Sequence, residues 1–288
     1  MNNKVAFIGT GLMGKPMIEK LLQGGLKVTA YNRTSAKLEP LRELCVEIVQ
    51  TPQEAIASAD CVILMLTNAT AIQEVLLSEA SRAQLSNRTV IQMSTISPTE
   101  SKQIHDAVVE NGGEYIEAPV LGSIPQVKSG ELLVIVGASR EQFHKWSELL
   151  KHFGKEPMLM GAVGSASAAK LALNQLIASL TSAFALSLGF VQRQGVEVEQ
   201  FMGILRQSAL YAPTFDKKLR PMLEGNFANP NFPTKHLLKD TNLFIAEAES
   251  LGLNVSSLEG VRKILEITQQ LGLSEEDYSS LFAAINPQ

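Results

Sequence analysis

The sequence predicts an α/β domain over residues 1–162 and an all-α domain over residues 163–288, joined by a long helix. Three observations support this division. Short apolar runs alternate with helical stretches up to about residue 160, a glycine-rich turn follows the first run, and strand signals vanish after "GAVGSA" at 161–166. Alternating strands and helices are typical of a parallel sheet that helices cover on both faces.

Strands of the first domain are predicted where short β-rich runs end in glycine, asparagine, serine or proline. The runs are "KVAFIG", "KVTAYN", "CVILMLT", "RTVIQMS", "GEYIEAP" and "ELLVIVG". Helical periodicity places helices between several of them, at 12–23, 70–77, 98–111 and 140–152.

The second domain is predicted to be entirely helical. Proline and glycine divide it into a long apolar helix that ends near residue 194 and helices at 197–207, 213–222, 234–250, 258–271 and 275–285. Residues 171–191 of the long helix are about long enough to cross a bilayer. Asn174, Gln175 and the neighbouring Lys170 favour a helix buried in protein instead, because polar groups are costly in lipid.

The composition excludes several function classes. Of the 288 residues 45% are hydrophobic and 19% charged, and the net charge of −4 gives no reason to expect nucleic acid or membrane as a partner. The two cysteines and four histidines lack ligand spacing, so neither a disulfide framework nor a metal site is predicted. No signal peptide precedes the first strand, so we expect a cytoplasmic protein.

The glycine-rich turn "GTGLMG", residues 9–14, lies between the first predicted strand and the first predicted helix. Dinucleotide-binding GxGxxG motifs require this context. Gly9 is predicted to allow the tight turn, Gly11 to admit a pyrophosphate, and Gly14 to let the helix pack on the sheet. Leu12 and Met13 are predicted to contact the cofactor in the same turn, where free helix N–H groups favour anions. The α/β domain is therefore predicted to be of the Rossmann type.

The end of the second strand indicates which dinucleotide binds. An acidic residue there would bond the ribose 2′-hydroxyl of NAD, but this chain has Asn32, Arg33 and Thr34. The Arg33 guanidinium can form charge-assisted hydrogen bonds with a 2′-phosphate, and the side chains of Asn32 and Thr34 can donate to it. A solvated surface arginine is the alternative. The sequence therefore predicts NADP(H) as the cofactor.

Four segments, "FIGTGLMGKPM", "EAPVLGS", "GSASAAKLALNQ" and "HLLKDTNL", follow one another along nearly the whole chain. In order and spacing they resemble the β-hydroxyacid dehydrogenase family, which includes 3-hydroxyisobutyrate dehydrogenases and glyoxylate/succinic semialdehyde reductases. The resemblance implies a Rossmann domain and a helical domain with an active site in the cleft between them. It also implies a homodimer or homotetramer.

By this resemblance the family's catalytic lysine corresponds to Lys170, and Asn174 corresponds to a residue that orients the substrate. The residues themselves show that Lys170 is unusual, since it shares one face of an apolar helix with Asn174, four positions on. Such a lysine often extends to solvent or forms an ion pair. A partly desolvated lysine can instead have its pKa lowered towards the working pH and act as a general acid.

The segment "EAPVLGS" resembles the family's substrate loop, whose usual run is Asp-Ala-Pro-Val-Ser-Gly-Gly. The resemblance implies that the backbone N–H groups of Gly122 and Ser123 hold a substrate carboxylate. Leu121 replaces the family's serine and predicts a partly apolar wall, and the hydroxyl of Ser123 could take the place of the missing one. The alternative is that Pro119 and Gly122 only shape a turn.

Two further segments complete the predicted site. "MSTISP" at 93–98 resembles the family segment beside the nicotinamide and substrate, which assigns Thr95 to the site and leaves Ser97 as a helix N-cap. "FPTKHLLKDTNL" at 232–243 implies that Lys239 reaches the cofactor, while Phe232 and Asp240 border the substrate pocket. A solvated basic helix face is the alternative for this lysine.

Together with these residues, the resemblance implies an NADPH-dependent reductase of a short aldehyde or keto acid, with Lys170 as general acid and a small-molecule aldehyde or hydroxy acid as its partner. Glyoxylate and succinic semialdehyde are the first candidate substrates. The 3-hydroxyisobutyrate reaction is an alternative, and so is an imine reductase, a group that generally lacks the lysine. A nucleotide-binding protein without turnover is the alternative from another class.

Overall fold

The computed structural model describes residues 4–287. The chain forms two compact units, one ending at Lys170 and the other beginning at Leu171. The first unit is α/β and the second is helical, which confirms the predicted fold class. The division falls inside the long helix, eight residues after the boundary predicted at 162/163.

The α/β unit contains a single nine-stranded sheet among the described residues. Its strands are β1 Lys4–Ile8, β2 Lys27–Tyr31, β3 Glu47–Ile48, β4 Cys61–Leu64, β5 Thr89–Gln92, β6 Glu114–Glu117, β7 Val120–Leu121, β8 Leu133–Gly137 and β9 Met158–Gly161. The order is β3-β2-β1-β4-β5-β6-β8-β7, with β9 also paired to β8. The predicted runs all form strands, whereas β3, β7 and β9 are short or irregular and were not predicted.

The sheet is parallel from β3 to β6, as predicted, but β8 runs antiparallel to both β6 and β7. The expectation of a parallel sheet is therefore wrong at this edge. The cause is the connection from β7 to β8, which contains only the short helix α7 (Ile124–Ser129). A parallel neighbour requires a longer crossover, so the chain turns back on itself instead.

Helices cover both faces of the sheet. Alternate residues of β1 enter different cores, with Val5 and Phe7 in one and Ala6 and Ile8 in the other, as the period of two in a strand requires. The remaining helices of this unit are α1 Gly14–Gln23, α2 Glu39–Arg42, α3 Pro52–Ala57, α4 Ala69–Leu76, α5 Glu79–Arg82, α6 Pro98–Glu110 and α8 Arg140–Leu150.

The long helix α9, Ser165–Arg193, begins earlier than the apolar run suggested. It is long and apolar enough to cross a membrane, and 44% of its most apolar 18-residue window is buried in the protein. Ala178, Ala185 and Leu188 of this helix belong to the core of the helical unit. These contacts account for the apolar sequence on that face, while Leu186 and Phe190 remain exposed.

The helical unit packs around the C-terminal part of α9. Its other helices are α10 Val198–Gln207, α11 Pro213–Glu224, α12 Thr234–Ser250, α13 Ser256–Gln270 and α14 Leu281–Ile285. The rings of Phe184 and Phe215 stack in the core with centroids 4.7 Å apart.

The single helix predicted at 275–285 is wrong. Residues Tyr278–Ser280 form a 3₁₀ turn, and α14 follows it. Asp277 starts the turn by accepting hydrogen bonds from the N–H and the hydroxyl of Ser279, at 3.0 and 2.7 Å. Lys218 of α11 pairs with the same carboxylate at 2.8 Å, and this contact across the unit cannot be read from helical periodicity.

Candidate active site

The glycine-rich turn has the geometry of a dinucleotide loop. Gly9 has a φ of 103°, and a Cβ there would lie 2.2 Å from the carbonyl oxygen of Met65. A Cβ on Gly14 would lie 1.9 Å from the carbonyl oxygen of Gly9. A Cβ on Gly11 would meet no atom within 4 Å. The packing of the protein thus leaves no room for a side chain at Gly9 or Gly14. The space beside Gly11 is open, which the close approach of a pyrophosphate needs.

The N-terminus of α1 also suits an anion. In the described part of the chain no side chain caps it at Met13, and its first turn carries no acidic residue. The N–H groups of Lys15 and Met17 already donate to the carbonyls of Gly11 and Met13, at 3.2 and 3.1 Å, so it is the positive end of the helix dipole that favours a phosphate here. Leu12 is half exposed beside the turn, while Met13 packs against the core under the sheet. The residues present fit the pyrophosphate of a nicotinamide dinucleotide.

Asn32 holds the end of β2 against the glycine-rich turn. Its Oδ1 accepts from the N–H of Thr10 at 3.1 Å, and its Nδ2 donates to the carbonyl of Thr34 at 3.0 Å. The Thr10 hydroxyl donates to the carbonyl of Lys37 at 3.1 Å. One hydrogen of the Asn32 amide is thus used within the protein, where it shapes the loop that presents Arg33, and the predicted donation to a 2′-phosphate falls to the other hydrogen.

The Arg33 side chain is 81% exposed at the end of β2. One guanidinium nitrogen lies 3.3 Å from Oε2 of Glu74 on α4, a residue for which the sequence alone predicts no role. An exposed pair of this kind contributes little to stability and exchanges readily with solvent. The guanidinium therefore remains accessible, and an acidic side chain stands beside the position predicted for a 2′-phosphate.

The segment that the resemblance predicts to be a substrate loop consists of a short strand, a glycine and the start of α7. Leu121 is half-buried in β7 and pairs with Leu133 of β8. Gly122 follows with a φ of 134°. The N–H and the hydroxyl of Ser123 both donate to Oε1 of Gln126, at 2.9 and 2.8 Å. Two donors of Ser123 therefore converge on a single oxygen, as a carboxylate would need, but a glutamine of the chain occupies the position.

The segment between β5 and α6 places Thr95 half-buried at the carboxyl end of the sheet. Ser97 forms a capping box with Glu100, which gives it the structural role that the sequence predicted.

Lys170 lies in the second turn of α9 with only 8% of its surface exposed. The first turn of this helix is held by the carboxylate of Glu117, which is completely buried at the end of β6. The carboxylate accepts hydrogen bonds from the N–H groups of Gly164 and Ala166, at 2.7 and 2.8 Å. A strand of the sheet thus determines where the lysine-bearing helix begins.

Three predicted residues of the helical unit form one connected cluster. Asn174 of α9 donates from Nδ2 to Oδ2 of Asp240 at 2.6 Å, and Nζ of Lys239 lies 2.8 Å from Oδ1 of the same carboxylate. Asn174 and Asp240 are 2% and 3% exposed. Oδ1 of Asn174 is buried without a hydrogen-bond partner among the described residues. Because the carboxylate must face the amide NH₂, this oxygen is left as an acceptor for a further donor.

Two other residues of this region have defined surroundings. Phe232 packs edge to face against Tyr278, with ring centroids 5.8 Å apart. Burial lowers the pKa of His236 from its usual value, and the ammonium groups of Lys239 and Lys235 lower it further. The imidazole is therefore neutral near pH 7 and adds no charge beside Lys239.

Comparison with known proteins identifies the family. A family model described as the NAD binding domain of 6-phosphogluconate dehydrogenase matches residues 4–164. A second, described as NAD-binding of NADP-dependent 3-hydroxyisobutyrate dehydrogenase, matches residues 164–285. The chain belongs to the β-hydroxyacid dehydrogenase family. It is therefore a nicotinamide-dependent oxidoreductase that acts on CH–OH groups.

Individual relatives match this chain over nearly its full length. Glyoxylate/succinic semialdehyde reductase 1 of Arabidopsis thaliana is 28% identical over 284 residues, 98% of this chain and 98% of the relative. The chloroplastic reductase 2 of the same plant is 28% identical over 283 residues, 98% of this chain and 79% of the relative. The structure of Mycobacterium tuberculosis 3-hydroxyisobutyrate dehydrogenase with L-serine has a TM-score of 0.90 at 21% identity, covering 99% of both chains, and shows the fold.

Sequence reasoning missed three residues that shape this β-hydroxyacid dehydrogenase: Glu74, Gln126 and Glu117. Gln126 had a local signal, because serine followed three residues later by glutamine is a capping-box pattern. The other two act over 41 and 47 residues of sequence, and only the folded chain brings them to their partners.

The open space at Gly11 leads to a testable expectation. Gly11→Ala should fold with wild-type thermal stability, since its Cβ meets no protein atom, but should bind NADP(H) at least about tenfold more weakly because the methyl group takes the space of the pyrophosphate. Isothermal titration and thermal melts measure the two effects. Gly14→Ala is the contrast and should lower stability itself. Wild-type affinity in Gly11→Ala would refute the assignment.

Proposed function

We propose that this enzyme reduces a short aldehyde or keto acid with NADPH, with Lys170 as the general acid and glyoxylate or succinic semialdehyde as substrate. The observation that carries the proposal is a buried lysine on α9, one turn before an asparagine that Asp240 holds in one orientation. The names of the two plant relatives support these substrates. We further expect a cytoplasmic homodimer or homotetramer that covers exposed apolar residues of α9 such as Leu186 and Phe190.

Charge supports NADPH over NADH. No acid follows β2, and Arg33 presents an exposed guanidinium that lies 3.3 Å from the carboxylate of Glu74. A 2′-phosphate carries more charge than one carboxylate and can accept two parallel bonds from the guanidinium. We expect the phosphate to replace Glu74 as the partner of Arg33, with Thr34 beside it.

The proton transfer is assigned to the α9 face. When bound, the reduced nicotinamide supplies a hydride to the carbonyl carbon. Lys170 then protonates the oxygen that becomes negatively charged, since an ammonium that is largely removed from water is an effective acid at close range. Oδ1 of Asn174, which needs a donor, accepts from the hydroxyl of the resulting hydroxy acid. Asp240 keeps the amide in the orientation that this requires.

The substrate carboxylate is assigned to Gly122 and Ser123. Oε1 of Gln126 marks where one carboxylate oxygen would lie, because both Ser123 donors reach it at 2.9 and 2.8 Å. We expect the carboxylate to displace the amide oxygen, as a charged acceptor forms the stronger hydrogen bonds. Leu121 would then contact the methylene groups of succinic semialdehyde.

Cofactor preference tests the role of Arg33. Arg33→Ala should weaken NADPH binding about 10- to 100-fold and leave NADH nearly unchanged, because charge-assisted bonds are lost only with the phosphorylated cofactor. The matched variant Glu74→Gln should tighten NADPH binding about two- to tenfold, since it replaces a charged acceptor by a neutral one and removes a negative charge beside the phosphate. Fluorescence titration with both cofactors gives these constants. Equal wild-type affinities for NADPH and NADH would overturn the assignment.

Turnover tests the role of Lys170. In Lys170→Ala, kcat should fall by a factor on the order of 10² to 10⁴ because the general acid is missing. NADPH should still bind. Lys235→Ala is the matched control, because this lysine pairs with Glu275 at 2.6 Å on the surface. Steady-state kinetics and NADPH titration are compared for the three proteins. A folded Lys170→Ala protein with near wild-type turnover would show that the lysine is not the general acid.

The substrate class is tested by removing and reshaping the carboxylate contacts. Butanal should be reduced much more slowly than succinic semialdehyde, mainly through kcat/KM, because it lacks the group that orients the carbonyl. Leu121→Ser should improve glyoxylate more than succinic semialdehyde, and Gln126→Ala should lower KM for both acids by freeing Ser123. The measurement is kcat/KM for the three aldehydes. Equal values for butanal and succinic semialdehyde in the wild type would exclude a carboxylate site.

A further inference from the structure

Glu117 is a fully buried carboxylate of the α/β unit with an extensive set of donors. It ends β6 with no exposed surface, and it accepts from the N–H groups of Gly164, Ala166 and Ser167 at 2.7, 2.8 and 3.3 Å. It also accepts from the hydroxyls of Ser167 and Ser101 at 2.7 and 2.6 Å. These donors compensate the burial of the charge, which would otherwise be costly.

These contacts make Glu117 the N-cap of α9, although it comes from a strand 47 residues earlier. Helix N-termini have unsatisfied N–H groups and a positive dipole end, and a carboxylate satisfies both. The bonds to Ser167 lie three residues before Lys170, so they fix the turn from which the lysine side chain projects. A local serine or aspartate cap would hold the helix but would not tie it to the carboxyl edge of the sheet.

The chain is adapted to the length of this side chain. Gly137 of β8 lies opposite Glu117, and a Cβ there would come within 2.2 Å of Oε1. Any larger residue at 137 would therefore push the carboxylate away from the helix. Where this chain has glutamate, the family's usual run begins with aspartate, which is one methylene shorter and needs less room.

The carboxylate also connects the start of α9 to α6 and, through Ser101 of α6, to a second residue of β6. The Ser101 hydroxyl lies 3.0 Å from the phenol of Tyr115, which is fully buried on β6. Burial raises the pKa of Tyr115 above its usual value, so the phenol stays protonated. The polar chain from Tyr115 through Ser101 and Glu117 to Ser167 is thus connected by hydrogen bonds throughout, and such networks hold their members in a single arrangement.

We propose that Glu117 is a positioning residue for the reaction, which places Lys170 by capping α9 and does not itself contact the substrate. The proposal rests on the proposed role of Lys170 as general acid. A carboxylate that only stabilised the fold would affect the melting temperature without a selective effect on turnover. Positioning predicts that kcat falls while cofactor and substrate affinities remain, because a small displacement of the acid weakens proton transfer more than binding.

The test compares the same substitution at two ends of one strand. Glu117→Gln removes the charge at the cap and should lower kcat about 10- to 100-fold, with KM and the NADPH dissociation constant within about twofold of wild type. Glu114→Gln is the matched control, since this carboxylate accepts from Thr89 and Lys145 at the opposite end of β6. Its kcat should be unchanged. Wild-type kcat in Glu117→Gln, or an equal loss in the control, would overturn the proposal.

A second pair of variants keeps the test decisive if Glu117→Gln fails to fold. Gly137→Ala should lower kcat by displacing the carboxylate, and Glu117→Asp should retain kcat within about threefold because it keeps the charge. In the double variant, Glu117→Asp should suppress the loss of kcat caused by Gly137→Ala, since the shorter side chain leaves room for the methyl group. If the double variant lost kcat by the product of the two single effects, the positioning role of Glu117 would be refuted. A failure of the proposed general-acid role would be detected by a different measurement, namely normal turnover in Lys170→Ala.

Discussion

A buried carboxylate at the end of β6 positions the start of α9, the helix that carries Lys170. Glu117 joins the edge of the sheet to the first turn of α9, so the strand that ends there also determines where this long helix starts. A charge in this position is stable only because N–H and hydroxyl donors surround it. The same bonds make the position of Lys170 a consequence of sheet geometry.

The cofactor side of the site is governed by close backbone packing. Gly9 and Gly14 leave no room for a side chain, while Gly11 faces open space. The Asn32 side chain links the turn to the end of β2 by hydrogen bonds to the backbone of Thr10 and Thr34, and Arg33 lies between Asn32 and Thr34 in the chain. A dinucleotide therefore meets a preformed surface and need not order it on binding.

The helical unit contains a polar cluster that a single carboxylate arranges. Asp240 binds Asn174 with one oxygen and Lys239 with the other. This arrangement leaves Oδ1 of Asn174 as a buried acceptor, which is costly unless a ligand supplies a donor. Buried polar atoms are usually hydrogen-bonded, so this oxygen is the acceptor of the cluster to which a further donor can bond.

The sequence by itself determined the features that depend on neighbouring residues. The glycine spacing, the missing acid after β2, the strand and helix alternation and the capping box at Ser97 are all local, and each could be predicted. Periodicity could not predict the antiparallel β8, which follows from the length of the β7–β8 connection. It also could not predict the break at Asp277, where the side chain bonds to Ser279 and pairs with Lys218. Tertiary structure alone decided the partners of Arg33, Glu117 and Asn174, because these contacts join residues 41, 47 and 66 positions apart. Hydrogen bonds need atoms within about 3 Å, and only the folded chain brings such distant residues so close.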